Sequence, residues 1–196
     1  CHAGDSGLTS RMTASYVVGC DGARSSVRQA MGVSMENLGF RQSWLVVDVL
    51  LYREMPELGD HSVQFCDAER PMTYCRSPKN RRRWEITMQA GESAGEMTDP
   101  DRVWQFLSRW ITPDDAQIER SVVYTFESAL AETWRKDRLL LAGDAAHLTP
   151  PFMGQGMCSG IRDAANLAWK LALTLKGRGA SGLLDSYGQE LSLIHI

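Results

Sequence analysis

The sequence lacks the features that mark several broad classes of protein. No apolar run approaches the roughly 20 residues that a membrane-spanning helix needs. The net charge of -3 gives no electrostatic reason to expect a nucleic acid as partner. The cysteines contain no CxxC pair, which argues against a disulfide framework and a zinc site; they are Cys1, Cys20, Cys66, Cys75 and Cys158. These absences predict a cytoplasmic protein that binds no membrane, no nucleic acid and no metal.

Both ends of the chain lack what a complete protein ordinarily shows. The first residue is a cysteine rather than an initiator methionine, and no signal-peptide layout follows it. Residues 191–196 form an abrupt apolar end after a polar helix. We therefore expect the chain to be a truncated piece of a longer protein, with residues 191–196 as a non-native end.

Strand-like patterns divide the chain into three parts. Short apolar runs at residues 14–20 and 139–142 predict buried strands of the parallel type. The segment between them is strand-rich and antiparallel in character, with a hairpin at residues 77–80 and one helix that is capped by Thr98 or Asp99 and has Pro100 in its first turn. This order predicts a split α/β domain, residues 1–36 and 133–190, with a sheet-rich domain, residues 37–132, inserted into it. The six tryptophans are expected in the core.

The first motif, residues 139–147, reads Leu-Leu-Leu-Ala-Gly-Asp-Ala-Ala-His. A buried strand there delivers Asp144 at its carboxyl end, where α/β sheets bind ligands. A carboxylate in that position can accept hydrogen bonds from sugar or polyol hydroxyls, and Gly143 lets a ligand approach the backbone. On these residues alone, an aspartate that merely caps the next turn is an equally good interpretation.

The second motif, residues 150–157, is a loop rich in proline and glycine that leads into a long helix. Glycines before a helix start leave its first N–H groups and the positive end of its dipole open to an anion or an electron-rich carbonyl. The alternative is a flexible loop whose glycines serve turn geometry only. The position of the second motif, directly after the first, favours the ligand-binding interpretation.

The third motif, residues 19–28, reads Gly-Cys-Asp-Gly-Ala-Arg-Ser-Ser-Val-Arg. Asp21 and Gly22 end a strand, Ser25 or Ser26 can cap a short helix, and Gly32 ends it. Arg24 and Arg28 add positive charge near the helix start, where a phosphate could lie. The alternative is a strand–turn–helix joint with a surface arginine pair.

In their order along the chain, the three motifs resemble the class A flavoprotein monooxygenases, a family of FAD-dependent aromatic-ring hydroxylases. The resemblance covers about residues 13–190 and within the family favours the 3-(3-hydroxyphenyl)propionate hydroxylases. It implies a Rossmann-like FAD-binding domain of the para-hydroxybenzoate hydroxylase type, split by a substrate domain. The family's Gly-x-Gly-x-x-Gly turn does not precede the first motif, and the literal match at residues 177–182 follows a helix, so we interpret it as a helix stop.

The resemblance implies a role for the matching residues. Asp144 would hold the ribityl hydroxyls of FAD, and the start of the long helix would face the pyrimidine carbonyl of the flavin. The Asp-Gly motif is associated in this family with both FAD and NAD(P)H. The implied cofactor-binding residues are Asp21, Gly22, Arg24, Gly143, Asp144, Ala145, Pro151, Gly154, Gln155, Gly156, Met157 and Cys158. No catalytic side chain is implied, because the cofactor carries the hard step; His147 is expected to support the loop by hydrogen bonding.

The function implied is hydroxylation of a phenolic substrate such as 3-(3-hydroxyphenyl)propionate, in aromatic compound catabolism, with O2 and either NADH or NADPH. The partners expected are the aromatic small molecule, O2 and a second copy in a homo-oligomer, and the truncated piece is expected to be inactive alone. One alternative is another flavoprotein of the superfamily, an epoxidase, a halogenase or a polyketide hydroxylase. The other is a non-catalytic domain of this fold, against which the intact Asp144 and the glycine loop argue.

Overall fold

The structure, a computed structural model, describes residues 11–151 and 154–192. The expectations that concern residues 1–10 and 193–196 lie outside the described residues. The chain divides into two compact units: unit 1 comprises residues 1–40 and 127–196, and unit 2 comprises residues 41–126. Within the described ranges, no helix combines the length and the hydropathy that crossing a membrane requires.

The described residues form nine strands and five α-helices, numbered in chain order. The strands are β1 (Val17–Gly19), β2 (Met35–Leu51), β3 (Val63–Phe65), β4 (Met72–Arg76), β5 (Arg81–Thr87), β6 (Ala116–Ala131), β7 (Arg135–Lys136), β8 (Leu139–Leu141) and β9 (His147–Leu148). The α-helices are α1 (Ser26–Met31), α2 (Ala94–Met97), α3 (Pro100–Leu107), α4 (Gln155–Leu175) and α5 (Asp185–Ser192). Single 3₁₀ turns occur at Pro56–Leu58 and Gly143–Ala145.

In unit 1, the two apolar runs of the sequence form one small sheet. Strand β1 pairs in parallel with β8, with Val17 opposite Leu139 and Gly19 opposite Leu141, and β7 adds to β8 in the antiparallel sense. After β1 the chain enters α1, which is capped by Ser25 and ended by Gly32 in the left-handed conformation, as its sequence indicates. Both parallel strands therefore end at the same edge of the sheet.

The long helix α4 buries a largely polar face, although its sequence pattern predicts an apolar one made of Ile161, Ala164, Ala165, Leu167, Ala168, Leu171, Ala172 and Leu175. Its buried side chains are Ser159, Asp163, Leu167 and Lys170, spaced as one helical stripe. Apolar residues of the same helix are exposed instead: Ile161 at 60%, Leu175 at 57% and Trp169 at 49%. The expectation that every tryptophan lies in the core is therefore wrong for Trp169.

In unit 2, the sheet order is β3-β4-β5-β2-β6, and a hairpin at residues 77–80 joins β4 to β5 as predicted. Helix α3 begins at Pro100 after the Asp99 cap, whose carboxylate accepts the N–H groups of residues 101 and 102. One face of the sheet packs into an apolar core that includes Leu45, Val47, Trp84, Ile86 and Leu107. Side chains of the opposite face include Asp48 and Arg83, since side chains alternate along a strand.

Candidate functional site

A cavity of about 290 Å³ lies in unit 1 where the parallel strands end. It is lined by the backbone and side chains of Cys20, Gly22, Ala142, Gly143, Asp144, Gly160 and Ala164. Cys20 and Gly22 follow β1, the next three follow β8, and the last two belong to α4. Ligands of α/β sheets bind at this carboxyl edge, so the cavity has the expected location for a cofactor.

Asp144 lies in the 3₁₀ turn after β8 with its side chain exposed. No residue in the described part of the chain donates a hydrogen bond to its carboxylate. The preceding Gly143 has φ +60°, a left-handed conformation that glycine adopts without strain. The carboxylate is thus presented to the cavity and is able to accept hydrogen bonds from a polyol.

Two glycines keep the turn close to helix α4. A Cβ atom added to Gly160 would lie 3.5 Å from the Cα atom of Gly143, at van der Waals contact. A larger side chain at Gly160 would occupy the cavity next to Asp144. The space between the turn and the helix therefore exists because both positions lack side chains, and this fits a bulky cofactor that approaches the backbone.

Arg28 connects the third motif to the first. Its Nη1 donates a hydrogen bond of 2.9 Å to the carbonyl oxygen of Ala145, and its Nη2 donates one of 2.6 Å to the carbonyl oxygen of Ala23. The side chain is buried, with 9% exposed. Its guanidinium is therefore engaged by backbone carbonyls, which corrects the expectation that it adds surface charge for a phosphate.

The Asp21 carboxylate caps helix α1. It accepts the hydroxyl of Ser25 and the backbone N–H groups of Ser26 and Val27, the last two at 2.7 and 3.2 Å. Burial opposes ionisation of this carboxyl, but those hydrogen bonds outweigh it and hold its pKa below the usual value. Asp21 and the exposed Arg24 do not line the cavity; Gly22 is the predicted residue of this motif that does.

The start of α4 carries the remaining predicted residues. Gly154 precedes the helix with φ +62°, its N–H bonds to the carbonyl of Pro151, and as a glycine it supplies no side-chain cap to the first turn. Gly154, Gln155 and Met157 are exposed, whereas Pro151, Gly156 and Cys158 are partly buried. Uncapped N–H groups at a helix start carry positive charge, so this turn can receive an electron-rich carbonyl. Phe152 and Met153 lie outside the described residues.

Ala145 and His147 are buried residues of the loop that stabilise it through hydrogen bonds. The side chain of Ala145 is fully buried, so its contribution to the site is the carbonyl that Arg28 binds. His147 Nε2 lies 2.7 Å from Oδ2 of Asp163, which confirms that the histidine supports the loop by hydrogen bonding. Its ring also stacks on that of Trp134, with centroids 5.3 Å apart.

Sequence reasoning missed Gly160, Asp163 and Ala164. Gly160 and Ala164 are small residues four positions apart on the helix after a glycine loop, which is the spacing of one helix face. Asp163 is fully buried, but it shares one helix stripe with Asn166 and Lys170, a polar pattern that by itself indicates a solvent-facing position, so the sequence carries no signal of its burial. The buried charge of Asp163 also acts on Cys20, whose thiol pKa is raised first by burial and then by the carboxylates of Asp21 and Asp163.

A larger cavity, of about 700 Å³, lies in unit 2 beside α2 and α3. Its carboxylates already have partners within the protein. Glu92 pairs with Arg70, Glu96 forms a capping box with Ser93, and Asp99 caps α3. Because these groups maintain the local structure, we assign the functional site to the smaller cavity of unit 1.

Parallel strands, a carboxylate at their carboxyl edge and a glycine loop that starts a long helix define a nucleotide-cofactor-binding α/β protein. The chain belongs to the FAD-binding domain family, whose model matches residues 2–195. This confirms the predicted fold class and FAD as the cofactor of the family. The residues that line the cavity fit such a group, because Asp144 is free to accept hydroxyls and the glycines leave room for it.

Relatives of the chain include named aromatic hydroxylases. It is 44% identical over 177 residues to a probable NADH-specific resorcinol 4-hydroxylase of Rhodococcus jostii, covering 90% of this chain and 33% of that protein. It is 44% identical over 191 residues to a 3-(3-hydroxy-phenyl)propionate/3-hydroxycinnamic acid hydroxylase of Mycobacterium avium, covering 95% of this chain and 32% of that protein. The chain therefore spans about a third of the length of these relatives.

Two solved structures have the same fold as this chain. The ternary complex of aklavinone-11 hydroxylase with FAD and aklavinone superposes with a TM-score of 0.77 at 28% identity, covering 88% of this chain and 33% of that one. The structure of the anhydrotetracycline hydroxylase OxyS from Streptomyces rimosus matches with a TM-score of 0.71 at 28% identity, covering 92% and 36% of the two chains.

Proposed function

We propose that this chain is part of an FAD-dependent monooxygenase that hydroxylates a phenolic ring with O2 and NADH or NADPH. The observation that carries the proposal is the carboxylate of Asp144, to which no described residue donates a hydrogen bond, at the edge of a glycine-lined cavity. Resorcinol and 3-(3-hydroxyphenyl)propionate, named for two relatives, are both phenols with a substituent meta to the hydroxyl. We therefore propose meta-substituted phenols as the substrate class, with 3-(3-hydroxyphenyl)propionate as a representative compound.

Different residues of unit 1 would contact different parts of the FAD molecule. Asp144 would accept the ribityl hydroxyls, while Gly143 and Gly22 allow close approach of the backbone. The N–H groups of Gly156 and Met157, in the first turn of α4, would face the pyrimidine carbonyl and stabilise negative charge there. When bound, FAD passes electrons from the nicotinamide nucleotide to O2, which supplies the oxygen atom for the ring.

Unit 2 is the proposed substrate-binding part, corresponding to residues 37–132 of the sequence division. One face of its sheet carries a charged cluster rather than a core. Asp48 accepts Arg83 Nε at 2.7 Å and Arg120 Nε at 2.9 Å. Burial opposes ionisation of Asp48, but the two guanidiniums outweigh it and lower its pKa. Glu85 also pairs with Arg83, at 3.8 Å, so the cluster balances two arginines against two carboxylates.

The proposal also covers the cellular location of the protein and its partners. The described cysteines, Cys20, Cys66, Cys75 and Cys158, are free thiols. Free thiols are typical of a reducing compartment, which supports a cytoplasmic location. The aromatic substrate and O2 are the proposed small-molecule partners, and a homo-oligomer stays a prediction.

The first test is flavin binding by the chain itself. FAD would be titrated and followed by flavin fluorescence for the wild type, Asp144→Ala and the control Glu132→Ala, which removes an exposed carboxylate of the same unit. We expect saturable binding in the wild type and the control, and affinity at least tenfold weaker in Asp144→Ala, because hydroxyl-to-carboxylate hydrogen bonds contribute roughly 1.5–3 kcal/mol each. Equal affinity in all three would remove the ribityl assignment.

A chimera tests the activity and the alternatives. This chain would replace the matching third of the Rhodococcus relative, and products from resorcinol and 3-(3-hydroxyphenyl)propionate would be separated by chromatography. The proposal expects a ring-hydroxylated product and consumption of NADH or NADPH. Products that are epoxides or halides, or turnover of a polyketide alone, would favour the other flavoprotein classes, and a chimera that binds FAD without any turnover would favour a non-catalytic domain.

A further inference from the structure

Asp163 is a fully buried carboxylate on the inner face of α4. Two hydrogen bonds converge on its Oδ2 atom, from the backbone N–H of Gly143 at 2.8 Å and from Nε2 of His147 at 2.7 Å. Its Oδ1 atom has no hydrogen-bond partner among the described residues. A buried charge lowers stability unless hydrogen bonds compensate it, so packing alone does not explain an aspartate at this position.

Both groups that bind Asp163 belong to the loop that carries Asp144. Gly143 immediately precedes Asp144, and His147 follows it by three residues. The backbone between them is bonded as well: Ala146 donates its N–H to Gly143, and its carbonyl accepts the N–H of Ala131. The loop is therefore held on both sides of Asp144, while the Asp144 side chain itself is left unengaged by the described residues.

The imidazole of His147 is held from two directions. Its Nε2 atom lies 2.7 Å from Oδ2 of Asp163. The orientation of the imidazole is fixed from a second direction by the Trp134 ring that stacks on it. His147 also pairs with Leu130 of β6 through its backbone. The histidine therefore links α4 to the loop in one defined orientation.

We propose that Asp163 is a positioning residue for the flavin site: through Gly143 and His147 it fixes the turn that presents Asp144 to the cofactor. At 0% exposed it lies below the surface of the cavity, so it acts on the cofactor through the loop. Removing it takes away the acceptor shared by the Gly143 N–H and Nε2 of His147, and the turn then samples conformations in which Asp144 points elsewhere. The inference rests on the flavin site proposed above.

The test uses the chain with three substitutions. Asp163→Ala removes both hydrogen bonds, whereas Asp163→Asn keeps an amide oxygen that can accept both without the charge. Lys170→Ala is the matched control, because Lys170 is equally buried on the same face of α4 but bonds to Ser186 and Glu190 of α5. Hydrogen exchange at the Gly143 amide and the ¹⁵N resonance of His147 Nε2 would be recorded without flavin, and the dissociation constant for FAD would be measured separately.

We expect Asp163→Ala to speed exchange at Gly143 at least tenfold, to shift the His147 resonance and to weaken FAD binding about tenfold, the size found when a residue that orients a binding group is removed. Asp163→Asn should restore part of each effect. Lys170→Ala should lower the stability of α5 and leave the Gly143 amide, the His147 resonance and the FAD affinity close to wild type.

Two outcomes would overturn the positioning role. The first is an unchanged Gly143 exchange rate and His147 resonance in Asp163→Ala. The second is an equal loss of FAD affinity in Asp163→Ala and Lys170→Ala, which would show a general effect of helix stability. A wild-type chain that binds no flavin would instead remove the flavin site proposed above, while the two flavin-free measurements would still decide whether Asp163 holds the loop.

Discussion

The two units of the chain are stabilised by different kinds of interior. In unit 2 the core is a set of aliphatic and aromatic side chains around Trp84, and the charged cluster of Asp48, Arg83 and Arg120 lies on the other face of the sheet. In unit 1 charged groups are themselves buried, among them Asp163 and Lys170, each hydrogen-bonded to a neighbouring element. Apolar packing fills space without direction, whereas hydrogen bonds fix orientation. Unit 2 buries Arg82 as well, which donates to backbone carbonyls of its own hairpin, whereas in unit 1 the directed contacts hold the cofactor loop.

The largest expected effect tests the apolar interior of unit 2. Trp84 is fully buried and its ring packs against Tyr74 and Trp110 at centroid distances of 5.0 and 5.9 Å. Trp84→Ala should lower the free energy of unfolding by about 3–5 kcal/mol, since it removes a large side chain and leaves a cavity. Urea denaturation followed by circular dichroism measures this, with Trp169→Ala as a control that should cost less than about 1 kcal/mol because that ring is half exposed. Similar losses in both variants would contradict the distinction between core and surface tryptophans.

A smaller effect is expected from the directed contacts of unit 1. Arg28→Met keeps most of the apolar stem but leaves the carbonyls of Ala23 and Ala145 without their donor. The free energy of unfolding should fall by about 2–3 kcal/mol, as for hydrogen bonds that involve a charged group, and FAD binding should weaken because Ala145 adjoins Asp144. Arg24→Met changes the same charge at an exposed position and should leave stability unchanged. Loss of stability in the Arg24 variant alone would show that the wrong arginine had been assigned to the interior.

The smallest effect depends on pH and concerns the contact between α4 and α5. Hydrogen bonds from Lys170 and then Asn166 lower the pKa of Glu190 to about 2. A folded-state pKa below the unfolded value near 4.5 means that this contact stabilises the fold above about pH 4.5, and that the contribution is lost as the pH falls towards 2. Because the carboxylate is half exposed, the contribution should be about 1 kcal/mol.

The measurement is the difference in unfolding free energy between wild type and Glu190→Gln from pH 2 to pH 7. The difference should be constant above about pH 5 and vanish near pH 2, within the window set by the lowered pKa. Glu132→Gln, an exposed carboxylate of the same unit, is the control and should show no such dependence. A difference that persists at pH 2 would mean that the charge of Glu190 is not what holds α5.

Local features of the fold were predictable because their causes lie within a few residues. Ser25 and Gly32 bound α1, Asp99 and Pro100 begin α3, and residues 77–80 form the hairpin between β4 and β5. Strand lengths were less predictable. The apolar pattern indicates strands at residues 44–51 and 121–126, whereas β2 and β6 span residues 35–51 and 116–131. About half of the additional residues are polar, and a mixed segment of this kind becomes a strand only when a neighbouring strand supplies its hydrogen bonds.

The division into domains and the roles of the site residues stay predictions, and the structure describes where those residues lie. It brings Gly22, Gly143 and Asp144 together around one cavity, and leaves Asp21 and Arg24 outside its lining. It adds Gly160, Ala164 and the buried Asp163, which no short motif contains. The periodicity of α4 indicates a helix correctly, but it does not show that Asp163 and Lys170 face inward while Ile161 faces solvent.

By itself, the sequence determined the elements whose physics is local: the caps of the helices, the two apolar strands and the aspartate that follows the second of them. Those features require only backbone hydrogen bonds, turn geometry and periodicity within a short window. The tertiary structure alone decided that Arg28 donates to a carbonyl 117 residues away and that Asp163 holds Gly143 across 20 residues. Contacts of that kind depend on how β1, β8 and α4 pack, because a side chain can satisfy a distant donor or acceptor only after packing has brought the two together.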